Sequence, residues 1–100
     1  MTTNDYESYV LAMSKPYTDP NYCAIALAEE AGEVCGWYKK MILRGNPTGK
    51  LTTDDLKSEL GDVLFYLTRM ASHYNWPLTE LMDFNKAKLD VRAAKGKVVG

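Results

Sequence analysis

Three clusters of helix-breaking residues cut this sequence into four stretches, and none of the four alternates with the period of two that a half-buried strand needs. The clusters are Lys15-Pro16-Tyr17-Thr18-Asp19-Pro20, Arg44-Gly45-Asn46-Pro47-Thr48-Gly49-Lys50 and Asn75-Trp76-Pro77. Apolar residues recur at helical spacing between them, which predicts helices over 4–14, 21–43, 53–75 and 77–95. The expected fold is therefore all-α and four-helix bundle-like. A chain of 100 residues has room for one such domain, 1–100, and not for two cores.

Local signals set the helix ends. Asn4 and Glu7 have capping-box spacing, with Tyr6, Tyr9, Val10 and Met13 on one stripe behind them. Asp54 and Asp55 follow Thr52 and Thr53, where negative charge suits a helix N-terminus. Pro77 reads as a first-turn proline, and Gly45 and Gly96 as stops.

Composition removes several functional classes. Twelve basic residues against thirteen acidic give a net charge of −1, which does not suit a surface for polymeric nucleic acid. No apolar run reaches the ~18 residues of a membrane span, and the N-terminus lacks a basic segment followed by an apolar one. A cytoplasmic protein is expected. Cys23 and Cys35 would lie about 18 Å apart on one helix, too far for a disulfide, and both are expected as small core residues. With His73 as the sole histidine, no zinc site can be assembled.

Cys23-Ala24-Ile25-Ala26-Leu27-Ala28 and Val63-Leu64-Phe65-Tyr66-Leu67 are apolar around the whole helix and so need neighbours on every face. A homo-oligomer, dimer or tetramer, is expected. Ala28, Gly32 and Gly36 form a flat ridge that suits close packing, either between copies or within one chain.

On a helical wheel the second helix turns Cys23, Leu27, Ala31, Val34, Tyr38 and Met41 inward, with Glu30, Glu33 and Trp37 at the edge and Glu29 further round. The third turns Leu56, Leu60, Val63, Leu64, Leu67 and Met70 inward, with Glu59, Asp62 and Tyr66 at the edge. Antiparallel packing would bring the two carboxylate pairs face to face. Carboxylates so placed repel one another unless a hard divalent cation sits between them, and an all-oxygen set suits Mg²⁺ or Mn²⁺. A solvated acidic face is the alternative. A di-iron site would need E-x-x-H motifs, and Met70 stands three residues before His73. On the fourth helix Asn85, Lys88 and Arg92 share one stripe, either a solvated basic face or a cradle for phosphates.

These motifs, E-E-x-x-E at 29–33, E-x-x-D at 59–62 and N-x-x-K-L-x-x-R at 85–92, together resemble the signature of the MazG-like nucleoside triphosphate pyrophosphohydrolases. The resemblance runs from about Ala24 to Gly96. It implies an all-α fold assembled as dimers or dimers of dimers, and Mg²⁺-dependent cleavage of a nucleoside triphosphate between its α and β phosphates. It further implies Glu30, Glu33, Glu59 and Asp62 as Mg²⁺ ligands, with Glu29 as a further acidic residue of the catalytic set that assists a second metal or orients water. Lys88 and Arg92 would hold phosphates, and Asn85 would lie near the base or sugar. Tyr66 would line the substrate, and Trp37 offers a ring that can stack on a base. The competing reading is a helical regulatory module that binds nucleotide or metal without cleaving anything.

Overall fold

A computed structural model describes residues 1–14 and 19–97 and contains four helices: α1 (Thr3–Met13), α2 (Pro20–Arg44), α3 (Thr53–His73) and α4 (Leu78–Ala94). Among the described residues there is no strand. The expected all-α class is what the chain adopts. Part of the first breaker cluster, residues 15–18, lies outside the described residues.

Each helix start has a local cause. The α1 capping box is formed by Thr2 and Asp5, two residues before the expected Asn4 and Glu7: the Thr2 side chain accepts from the Asp5 N–H at 3.1 Å and Asp5 accepts from the Thr2 N–H at 3.2 Å. Aspartate reaches back across one turn as well as glutamate does, so Thr-x-x-Asp competes with Asn-x-x-Glu for the same start. Asp19 caps α2 with Pro20 in the first turn, and Thr52 caps α3 in a second reciprocal box with Asp55. Pro77 proves to be the residue before α4, not its first helical residue, and gives no side-chain cap. Glu7 of α1 takes over that duty, accepting from the Leu78 N–H at 2.7 Å. Gly45 ends α2 at φ +62°, a conformation that costs an L side chain strain.

The α2–α3 pair is the main packing unit, and α1 lies across α3 and reaches α4. The pair is antiparallel. The indole N–H of Trp37, late in α2, donates to the Thr52 carbonyl before α3 at 2.9 Å. Tyr22, early in α2, lies 6.4 Å from Tyr66, late in α3, between ring centroids. The small core gathers Val10, Cys23, Ala26, Ala71 and Leu78.

Much of the expected apolar arc stays uncovered. Tyr38, Leu60, Leu64 and Leu67 are exposed, and Ile42 is 79% exposed. Cys35 departs from its expected core position and is exposed, because no element among the described residues covers that face of α2, while Cys23 is buried as expected. The accessible surface of 7610 Å² exceeds the ~5700 Å² typical of a folded monomer of this mass. The radius of gyration, 16.6 Å, likewise exceeds the ~13 Å of a compact 100-residue domain. Within one chain a methyl group at Gly32 or Gly36 would meet no atom within 4 Å. Close intrachain packing is therefore not what these glycines serve.

Candidate functional site

The antiparallel register sets the two acidic helix edges against each other. One carboxylate oxygen from each of Glu30, Glu59 and Asp62 lies within 4.8 Å of the others. Glu30 comes from α2, and Glu59 and Asp62 stand one turn apart on α3. Glu30 and Glu59 are half-buried, while Asp62 is exposed.

The carboxyl of Glu30 is held above its ordinary pKa, first by burial and then by the charges of Asp62, Glu59, Glu33 and Glu29, in that order. The charges that act on Glu30 among the described residues are all negative, and the donors of the trio are all hard oxygens. That donor chemistry fits Mg²⁺ or Mn²⁺ and does not fit a thiophilic metal.

Glu33 and Glu29 stand outside the trio. Both are exposed on α2, close enough for their charge to act on Glu30. Tyr66 is half-buried one turn beyond Asp62, its phenol pKa raised by burial, by Tyr22 and by the charge of Glu30. Trp37 has its indole N–H committed to Thr52 and packs edge-on against Tyr38 at 5.0 Å.

Asn85 lines an apolar groove with Tyr6, Leu64, Leu67, Leu81 and Met82, and no carboxylate of the trio is in that lining. Lys88 and Arg92 are exposed on α4. The structure therefore brings Glu30, Glu59, Asp62 and Tyr66 together, while no hydrogen bond or ion pair ties the Asn85–Lys88–Arg92 stripe to them among the described residues.

Two neighbours escape a reading of separate wheels. Tyr6 of α1 sits where burial and the charge of Asp62 push its phenol pKa up, so α1 reaches the electrostatic range of the site. Arg69 is buried, at 5% exposure, with its guanidinium 5.7 Å from the Tyr22 ring centre. Glu59, Asp62, Tyr66 and Arg69 follow one another along a single face of α3, a spacing that could have marked Arg69.

The profile of the MazG nucleotide pyrophosphohydrolase domain matches residues 19–96. The Gene 37 protein of Mycobacterium phage L5 is 36% identical over 83 residues, which cover 80% of this chain and 71% of that protein. No solved structure matches the chain. Among the described residues no helix is long and apolar enough to cross a membrane. The match over 19–96 spans all but the first helix and includes every carboxylate of the trio, and on it the chain belongs to the MazG nucleotide pyrophosphohydrolase domain family.

Proposed function

We propose that this protein is a divalent-cation-dependent nucleoside triphosphate pyrophosphohydrolase, cleaving its substrate to a nucleoside monophosphate and pyrophosphate. The observation that carries this reading is the Glu30–Glu59–Asp62 trio, with oxygens within 4.8 Å of one another and the Glu30 carboxyl held above its ordinary pKa by burial and then by its acidic neighbours. These three residues would hold the cation, and Glu33, exposed one turn along α2, would swing in as a fourth ligand. A bound Mg²⁺ would offset charge on the triphosphate and acidify water.

The remaining work falls to the chain itself. Glu29, without a ligand duty, accepts the proton of the attacking water. Attack at the α phosphorus breaks the α–β anhydride bond, and pyrophosphate leaves. Lys88 and Arg92, exposed and without an ion pair among the described residues, neutralise phosphate oxygens. Asn85 contacts the base or sugar, and Tyr66 and Trp37 flank the substrate with aromatic surface. Positioning and charge stabilisation suffice for this displacement.

The same reading places the working form in a homo-oligomer. The surplus of exposed apolar surface, to which Ile25, Ile42 and Leu43 of α2 and Phe84 of α4 contribute, supports it. Incubation with a panel of canonical and modified deoxynucleoside triphosphates, with Mg²⁺ and then with EDTA, tests the activity. Pyrophosphate release that stops in EDTA and returns with Mg²⁺ is expected. Binding without release would replace the proposal with a regulatory nucleotide-binding module, and metal-independent release would overturn the role of the trio.

A further inference from the structure

An open groove lies at the opposite end of the α2–α3 pair from Tyr22. It has a volume of about 360 Å³; Lys40, Arg44, Asn46, Thr48 and Lys50 line it over an apolar floor that includes Pro47 and Leu51, with no carboxylate in its lining. Arg44 is fourteen residues along α2 from Glu30, about 21 Å at the helical rise, so this groove is separate from the acidic trio.

The turn that builds the groove is closed on itself. The Asn46 side chain donates to the Leu51 carbonyl at 2.7 Å and accepts from the Leu51 N–H at 3.1 Å. Gly49 donates to the Asn46 carbonyl at 3.2 Å, and Gly45 and Gly49 take positive φ values of 62° and 66°. Those bonds fix the backbone while leaving three cations around a common space. The nearest acidic groups belong to the start of α3. Asp55 is engaged by Thr52 through backbone and hydroxyl hydrogen bonds and also feels the charge of Lys40, and Asp54 pairs with Lys57 at 3.9 Å. Arg44 and Lys50 form no ion pair among the described residues. The backbone N–H groups of Thr48 and Lys50 have no hydrogen-bond partner there either.

We infer that the α2–α3 turn binds a small, multiply charged phosphate-bearing anion, an oligophosphate or the phosphate tail of a nucleotide, held by Lys40, Arg44 and Lys50. Lysine supplies point charge and arginine a planar two-pronged donor, the combination that suits adjacent phosphate groups. The volume exceeds what one phosphate fills, and three cations in one lining favour several negative charges over one. A nucleic-acid backbone is the poorer occupant, because the cationic surface is confined to one turn of a chain with net charge −1. This inference does not depend on the proposed catalytic activity.

The test is an NMR titration of the whole protein in EDTA, following the amide signals of Gly45 and Gly49 as inorganic tripolyphosphate is added. Saturable shifts of both signals are expected, with weaker binding of monophosphate. The double variant R44A/K50A should bind at least about tenfold more weakly, and Lys50→Gln, an exposed loop change, should weaken binding without altering the rest of the spectrum. Glu59→Gln should leave the titration unchanged. A nucleoside triphosphate that produces the same shifts in EDTA assigns the site to nucleotide phosphate tails; shifts with tripolyphosphate alone assign it to free oligophosphate. Unmoved glycine signals, equal binding by R44A/K50A, or tighter binding of a single-stranded oligonucleotide than of tripolyphosphate would overturn the inference.

Discussion

Replacing Glu30 by Gln removes one charge from a position where the acting charges are all negative, and it should stabilise the metal-free protein. Unit charges 4.8 Å apart repel by about 1 kcal/mol in a water-like dielectric. Glu30 faces two such neighbours, and the trio is partly solvated, so salt and side-chain motion reduce the sum to about 1 kcal/mol. For a domain of this size that corresponds to a rise of about 4–8 °C in melting temperature. The pH dependence has a definite sign. The folded-state pKa of Glu30 lies above the ordinary carboxylate value, so between those two values the native state binds more protons than the unfolded state. Its contribution to stability therefore falls as pH rises through that window. Thermal melts in EDTA at equal chain concentration should show the variant ahead at neutral pH, with the advantage fading towards about pH 4. Mg²⁺ should reverse the order: wild type gains about 2.7 kcal/mol at a hundredfold excess over Kd, and the variant gains less. A variant that melts no higher than wild type in EDTA at neutral pH, or that gains as much from Mg²⁺, would refute the reasoning.

Four other outcomes follow from particular contacts. Glu59→Gln should retain the helical circular dichroism spectrum and lose pyrophosphate release, because it removes one of three converging oxygens. Thr52→Ala breaks the reciprocal box at the start of α3 and should lower the melting temperature by about 4–8 °C, the equivalent of about 1 kcal/mol. Glu7→Ala leaves the Leu78 N–H without its acceptor at a helix start with no cap of its own, so hydrogen exchange of that amide should accelerate at least about tenfold. Ile42→Glu places a charge on a residue 79% exposed in the single chain and should shift sedimentation from oligomer to monomer while leaving the chain folded.

The helices were legible because their punctuation is chemical and local. Gly45 stops α2 and Thr52 starts α3 whatever surrounds them, and both fall where the sequence places them. The start of α1 was harder, since Thr2–Asp5 and Asn4–Glu7 offer the same pattern and Glu7 is drawn away to serve α4. Pairing Glu30 with Glu59 and Asp62 was readable because each helix edge repeats at three residues and the connection is short enough to enforce an antiparallel return. Tyr6 was not readable, because its place beside Asp62 depends on how α1 crosses α3. The exposure of Cys35 was hidden for the complementary reason: an apolar arc says that a face seeks a neighbour, not that the same chain provides one.

That last point connects the surface to the site. Gly32 and Gly61 stand inside the acidic motifs, between Glu30 and Glu33 and between Glu59 and Asp62, and a methyl group at either would meet no atom within 4 Å. A glycine inside a helix costs about 1 kcal/mol relative to alanine, and nothing in the single chain offsets that cost by packing closely there. Each of these glycines sits two residues, about 200° of helix rotation, from Glu30 or Glu59, so the bare backbone lies on the far side of its helix from the trio. Those flat faces suit the close approach of another helical surface, in keeping with the apolar side chains the single chain leaves exposed. The acidic edge, where the charges acting on Glu30 are all negative, is left to a cation.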